Sequence, residues 1–169
     1  MISSEQQFFI QDRNTQVGNI CVQWAHLEYL LALAIWSLLR LDQETGKIVT
    51  GGLDIRPRLN MAINLAKHLK APEPAKKALL CTRRALDGGL DERRNKAIHG
   101  HRLLDPDDIQ SELVEVHRGK GDRKRHKVTN ADLAELGVAI AKVAADLHEA
   151  MLKTNVYHAA CDRPAQIMA

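Results

Sequence analysis

Apolar residues recur three and four positions apart over most of the chain, the spacing of one face of an α-helix. The first predicted helix covers about Glu5 to Leu41, either as one continuous helix or with a break near Gly18. Its apolar stripe consists of Ile20, Trp24, Leu27, Leu31, Ala34, Leu38 and Leu41. Additional apolar residues widen the stripe between Tyr29 and Leu39. We therefore expect the second half of this helix to be buried on more than one side, either inside a bundle or against a second subunit.

Two more helices are predicted in the middle of the chain. The segment 42–52 contains three glycines and is predicted as a loop. Asp54 follows in an N-cap position with Pro57 in the first turn, and the second helix ends near Lys70. Its stripe consists of Ile55, Leu59, Ala62, Ile63, Ala66 and Leu69. The segment Ala71-Pro72-Glu73-Pro74 interrupts the pattern before the third helix.

The third helix begins near Pro74 and passes through Gly88-Gly89 without losing its apolar rhythm. Its stripe consists of Ala75, Leu79, Thr82, Leu86, Leu90, Arg93 and Ala97. Two interior glycines cost about 2 kcal/mol relative to alanine, so the pattern predicts one helix with a weak point. Ala97 and Ile98 are expected to face inward. Gly100 stands where a left-handed residue commonly ends a helix.

A short β-hairpin is predicted next. Residues 101–108 form a loop, Ile109 to Arg118 alternates as a strand, residues 119–122 have turn chemistry, and Arg123 to Val128 returns. Six cations and one acid between His117 and Lys127 give a local charge of +5. The cations are Arg118, Lys120, Arg123, Lys124, Arg125 and Lys127. This basic hairpin either is a solvated surface or binds a nucleic-acid backbone.

Thr129 begins the final helix as its N-cap, with Asp132 in the capping-box position. The helix ends near Thr154, and residues 155–169 are predicted to be a loose tail. Its stripe consists of Leu133, Leu136, Ile140, Val143, Leu147, Ala150 and Met151. The expected architecture is all-α: a four- to five-helix bundle with a small basic β-hairpin between the last two helices, forming one domain over residues 1–154.

Composition restricts the classes of protein to which this chain can belong. The 169 residues carry a net charge of +3, which is compatible with nucleic-acid binding without requiring it. The three cysteines, Cys21, Cys81 and Cys161, are far apart, so a disulfide scaffold or zinc knuckle is not expected. The N-terminus lacks signal-peptide features, and the most apolar run, Tyr29 to Leu39, is too short to span a bilayer. We expect a cytoplasmic protein that is not embedded in a membrane.

Candidate chemistry is concentrated at the end of the third predicted helix, in Arg93-Arg94-Asn95-Lys96-Ala97-Ile98-His99. Asn95 and His99 are four residues apart and share a helix face. Arg94 lies about 140° from His99 around the helix, and Arg93 about 120°. One of these arginines can therefore flank a cleft whose floor holds Asn95 and His99.

The segment Arg94-Asn95-Lys96-Ala97-Ile98-His99 resembles the Arg-Asn-x-x-x-His signature of the HEPN-like family, a group of helical domains that includes many metal-independent ribonucleases. The resemblance covers roughly residues 17–154. Outside the motif, only the helical pattern of apolar and polar positions is similar. The resemblance implies a compact helical bundle and a two-fold dimer whose two motifs share one cleft. An endoribonuclease of the toxin or phage-defence type, with an antitoxin or another protein as a further partner, is one hypothesis that is compatible with the resemblance.

RNA cleavage by attack of a 2′-hydroxyl needs a base, an acid and positive charge at the phosphorus. Histidine titrates near neutral pH, and arginine stays protonated and binds phosphate oxygens in pairs. We therefore assign proton transfer to His99, phosphate charge to Arg94 and orientation to Asn95. Arg93 can replace Arg94, and Glu28 in the first helix is a candidate to orient either arginine. No metal or other cofactor is expected, because His99-Gly100-His101 is too close for a helical metal pair.

Two other functions are compatible with the sequence. The protein can be a non-catalytic dimeric module that binds nucleic acid, a nucleotide or a protein partner, with Arg94 and Asn95 only tying the helix in place. It can also be a structural subunit whose basic hairpin serves solubility alone.

Overall fold

The computed structural model describes residues 3–104, 111–118 and 122–157, and the side chains of residues 3–100 and 126–157. The helices in this part are α1 Ser4–Leu39, α2 Gln43–Thr50, α3 Ile55–His68, α4 Glu73–Asp87, α5 Leu90–His99 and α6 Asn130–Lys153. The strands are β1 His101–Leu104, β2 Ser111–Arg118 and β3 Asp122–Thr129. The chain is mostly helical, which fits the predicted all-α class.

The three strands lie between α5 and α6 and pair antiparallel in the order β1-β2-β3. Leu103 is opposite Leu113 in the first pair, and His117 is opposite Arg123 in the second. The prediction of a loop over residues 101–108 is wrong for β1. Its four residues have no strand pattern of their own and are extended because they pair with β2.

The predicted loop over residues 42–52 is also wrong, because it contains α2. Asp42 is the N-cap, and its Oδ1 accepts hydrogen bonds from the backbone N–H groups of Glu44 and Thr45, each at 3.0 Å. Its Oδ2 accepts a third bond from the Thr45 hydroxyl at 2.7 Å. A well-satisfied cap therefore starts a short helix in spite of its glycine content.

The third predicted helix is two helices, so the expected continuity through Gly88-Gly89 is wrong. Gly89 has a φ of 97°, in the left-handed region that glycine adopts at no steric cost. Its N–H closes α4 by donating to the carbonyl of Leu86 at 3.1 Å, and its own carbonyl accepts from Arg93 N–H in the first turn of α5. Gly89 therefore ends one helix and caps the next.

Contacts along the chain divide it into two compact units. The first unit consists of Met1–Trp24 and Leu86–Ala141, and the second consists of Ala25–Ala85 and Lys142–Ala169. The single domain predicted over residues 1–154 stays a prediction.

The core of the first unit comes from the start of α1, from α5 and from the first half of α6. Its buried apolar residues include Ile20, Trp24, Leu86, Leu90, Ala97, Leu133, Leu136 and Ile140. Gly137 allows α6 to approach α1 closely, since a Cβ there would lie 2.8 Å from Asn19 Nδ2. Asn130 also joins the two helices, because its amide donates to the carbonyl of Phe9 and to the carboxylate of Asp12.

The core of the second unit is built around the rest of α1. Nearly every side chain from Leu30 to Ser37 is buried, which confirms that this half of the helix is covered on more than one side. Of the two alternatives for the first helix, the continuous one is observed, because α1 passes through Gly18 and ends at Leu39. By length and composition α1 also passes as a candidate membrane span, a test that buried core helices pass too, and half of its most apolar window is buried.

Three helices of the second unit end in the same way. Arg40, Lys70 and Asn155 have φ values of 56°, 53° and 57°, so each occupies the left-handed position after its helix. In each case the N–H of the next residue bonds to the carbonyl five residues earlier, for example Ala71 N–H to Ala66 at 2.9 Å. These are Schellman caps formed without glycine.

Both predicted ends of the last helix are close to the observed ones. Asp132 Oδ2 accepts from the N–H and hydroxyl of Thr129, each at 2.8 Å, and Thr129 Oγ1 accepts from Asp132 N–H at 3.1 Å. The predicted capping box is therefore confirmed. The prediction of a loose tail is wrong at its start, because Val156 and Tyr157 are buried and the Tyr157 hydroxyl donates to the Leu30 carbonyl at 3.1 Å. Residues 158–169 lie outside the described part.

Candidate functional site on helix α5

Helix α5 carries the predicted motif and belongs to the first unit. Asp91 and Glu92 lie in its first turn, and Lys96 and His99 in its last, so the charges at both ends are favourable for the helix dipole. The expectation that Gly100 is left-handed is wrong, since its φ is −69° and its ψ is 137°. An extended Gly100 lets the chain pass directly into β1.

The two sides of α5 have different environments. Leu90 and Ala97 are buried and Ile98 is half-buried, so the inward position of Ala97 is confirmed and that of Ile98 only in part. Asn95 and His99 are both exposed. The imidazole expected to transfer protons is therefore accessible to solvent.

Arg94 lies on the core side of α5. Its Cζ atom is 5.1 Å from the centroid of the buried Trp24 ring in α1, which is within the range of a cation–π contact. Its Nη1 donates to Asn95 Oδ1 at 3.0 Å, and its Nε is buried without a hydrogen-bond partner. The guanidinium therefore contacts both the core of the unit and the exposed asparagine.

The other two candidates for supporting roles have acidic or basic partners of their own. Arg93 is exposed, and its Nη2 lies 3.2 Å from Glu135 Oε1 in α6. Glu28 belongs to the second unit, where its carboxylate lies 3.6 Å from Arg58 Nη1. The hypothesis that Glu28 orients one of the two arginines stays a prediction.

Sequence reasoning missed two residues on the exposed face of α5. Glu92, Asn95, Lys96 and His99 follow one another at spacings of three, one and three residues, so they line one side of the helix. Lys96 Nζ lies 3.2 Å from Glu92 Oε1. The spacing itself was the available signal, and it places a lysine as well as an asparagine within one turn of the imidazole.

For the predicted basic hairpin, the structure gives mainly the backbone of β2 and β3. Arg118 ends β2, and Arg123, Lys124 and Arg125 lie in β3 opposite His117, Val116 and Glu115. The side chains of these four cations, and the whole of Lys120, lie outside the described residues. Lys127, near the end of β3, is exposed.

Within the described residues no group of three or more His, Cys, Asp or Glu side chains is arranged to hold a metal ion. Cys21 and Cys81 are free, exposed thiols. Comparison with protein-family models, with curated proteins and with solved structures found no match for this chain. The chemistry of α5 is therefore the feature that bears on function.

Proposed function

We propose that this protein is a metal-independent endoribonuclease whose reacting groups lie on the exposed face of α5. The observation that carries the proposal is the accessible imidazole of His99 one turn after an exposed Asn95, whose amide oxygen is bound by Arg94. An imidazole titrates near neutral pH and can accept or donate a proton. A phosphodiester at this face would meet the imidazole together with amide and ammonium donors.

The proposed reaction is transfer of the phosphodiester within the RNA strand. The 2′-hydroxyl loses its proton to a base and its oxygen attacks phosphorus, while the bond from phosphorus to the 5′-oxygen breaks. That leaving oxygen takes a proton from an acid. The products are a 2′,3′-cyclic phosphate and a free 5′-hydroxyl, and the net proton count does not change.

In this proposal Arg94 orients Asn95, which differs from the phosphate-binding role expected from the sequence. With its guanidinium against Trp24 and its Nη1 on Asn95 Oδ1, it orients the asparagine so that Asn95 Nδ2 donates to a phosphate oxygen. Lys96 supplies positive charge on the same face as His99, and its surface ion pair with Glu92 is weak enough to exchange for phosphate. Arg94 is thus a positioning residue with charge, and His99 is the catalytic residue.

One histidine cannot be base and acid in the same step, so the proposal includes a homodimer with two copies of α5 in one cleft. Two side chains of the first unit support self-association, since Val22 of α1 is 65% exposed and Val138 of α6 is 67% exposed. The basic hairpin of each subunit would bind the RNA backbone on either side of this cleft. A cytoplasmic location and a partner such as an antitoxin belong to the same proposal.

The test is incubation of the purified protein with mixed RNA in the presence of a chelator. Cleavage should leave cyclic phosphate ends, disappear in His99→Ala, and persist in the control His68→Ala. His68 is a good control because it too is an exposed histidine in the last turn of its helix, α3. Equal cleavage by both variants, or none by the folded wild type, would contradict the ribonuclease.

A non-catalytic module is the second candidate, and the Arg94–Trp24 contact favours it. A guanidinium with a buried Nε, packed on a core indole, also serves simply to join α5 to α1. Such a module would bind nucleic acid, a nucleotide or a protein without cutting it. RNA binding that is weakened by charge reversal at Arg123, Lys124 and Arg125, with no cleavage, would support this candidate.

A further inference from the structure

A groove in the first unit lies between α5, the end of β3 and the first turns of α6, and it has a volume of about 230 Å³. Its apolar wall is formed by Ala97, Val128, Leu133 and Leu136. Three of these residues are otherwise buried, and Val128 is half-buried. The groove therefore has an apolar floor that is already formed, and Val128 is the most accessible part of it.

Cations surround this apolar wall. Arg93, Lys96 and Lys127 come from two different elements and all line the groove. Arg93 is paired with Glu135 and Lys96 with Glu92, each at 3.2 Å, and all four side chains are at least 30% exposed. Exposed ion pairs of this kind contribute little, so a phosphate can replace the carboxylates at low cost.

Lys96 connects the groove to the proposed site. It lines the groove and also lies three residues before His99 on the exposed face of α5. A strand whose phosphate contacts Lys96 and His99 can place the adjoining base in the groove, against Val128. The base must be unpaired to enter, because a paired base does not expose its faces and its pairing edge together.

Asp132 gives the groove an acceptor. Both bonds from Thr129 go to Oδ2, which leaves Oδ1 as an acceptor for a ligand, and these bonds hold the pKa of the carboxyl below its usual value. Each carboxylate oxygen has two lone pairs, so Oδ1 can accept from two adjacent N–H donors on one edge of a ligand. Among RNA bases, guanine has such an edge in its N1–H and its 2-amino group.

We propose that this groove binds one unpaired guanine of the RNA substrate, with Asp132 accepting from its pairing edge and Lys96 and Lys127 contacting the flanking phosphates. The proposal rests on the ribonuclease function for its substrate class, and it assigns a base preference to the nucleotide next to the cleaved bond.

Binding is tested with oligonucleotides that the protein cannot cut. The probes are short thymidine oligonucleotides with one central deoxyguanosine or one central deoxyinosine, which lacks the 2-amino group. Wild-type protein should bind the guanine probe about tenfold more tightly, the value of roughly one hydrogen bond to a charged group. In Asp132→Asn the two probes should bind equally. Equal binding by the wild type, or an unchanged preference in Asp132→Asn, overturns the proposal.

A second pair of variants tests the groove without altering the capping residue. Val128→Trp fills the groove and should weaken binding of the guanine probe severalfold, whereas Ala145→Trp, on exposed α6 surface outside the groove, should not. Lys127→Gln should lower the slope of log affinity against log salt by about 0.7, the value for one phosphate contact on a single strand. Unchanged binding in Val128→Trp also overturns the proposal.

Different experimental results would contradict the ribonuclease function and the guanine-binding groove. Loss of RNA cleavage in His99→Ala together with equal binding of both probes leaves the ribonuclease and removes the guanine groove. A guanine preference that depends on Asp132, in a protein that cuts no RNA, leaves the groove and removes the ribonuclease.

Discussion

The indole Nε1–H of Trp36 donates to Thr50 Oγ1 at 3.0 Å, and both side chains are buried. Thr50 Oγ1 donates in turn to the carbonyl of Gly46 at 2.8 Å. A Cβ on Gly46 would lie 2.6 Å from Cγ and Cδ2 of the same indole. One tryptophan of α1 therefore fixes α2 in two ways, through a hydrogen-bond chain and through a contact that only glycine permits.

We expect Gly46→Ala to destabilise the protein. Overpacking costs about 1–3 kcal/mol, while the gain in helix propensity from glycine to alanine is about 1 kcal/mol, so the net change should be a loss. Urea unfolding measures it. Gly52→Ala is the matched control, because nothing lies within 4 Å of a Cβ at that glycine. An equal or larger loss in the control would show that the indole contact does not decide the effect.

Lys70→Gly should stabilise the protein. A left-handed residue other than glycine costs about 1–2 kcal/mol, and the added flexibility of the unfolded chain returns about half of that, so a gain of about 0.5–1 kcal/mol is expected. Lys67→Gly, one turn earlier inside α3, should instead lose about 1 kcal/mol. Thermal or urea unfolding of the two variants should give opposite signs; a loss in both would contradict the strained cap.

The capping carboxylate at the start of α6 should make stability depend on pH. The backbone N–H and hydroxyl of Thr129 lower the pKa of Asp132 in the folded state only. The contribution is therefore fully present above about pH 4 and is lost as pH falls through the lower folded-state pKa. The difference in unfolding free energy between wild type and Asp132→Ala should shrink from pH 7 to pH 3. A difference that stays constant or grows on acidification would contradict this account.

Arg94 should matter for stability as well as for activity. Replacing it by alanine removes a contact with the Trp24 ring worth about 1–2 kcal/mol when desolvated, whereas Arg93→Ala breaks an exposed pair worth about 0.2–1 kcal/mol. Arg94→Met should recover part of the lost stability, because it covers the indole, without recovering RNA cleavage. If Arg94→Met restored cleavage, the guanidinium would have no part in the reaction.

Local patterns predicted much of the fold. The stripes of α1, α3, α4 and α6 follow from apolar spacing alone, and the Thr129–Asp132 box follows from two residues three apart. These features depend only on residues that are close together in the sequence, so a single sequence is enough to predict them.

The rest depended on contacts or backbone angles that spacing does not encode. Gly89 fits a helical rhythm but takes a φ of 97°, which separates α4 from α5. Arg94 was assigned to phosphate by charge, yet Trp24, seventy residues earlier, provides its stacking partner. The strand β1 exists only through its pairing with β2.

Strand β3 ends at Thr129 and α6 begins at Asn130, so no connecting residue separates sheet from helix. The Asn130 amide in turn is bonded to Phe9 and Asp12 of α1. Because no flexible residue separates the two elements, a displacement of β3 is transmitted directly to the first turn of α6. The last residue pair of the sheet and the first turn of the helix should therefore unfold together, in one cooperative step.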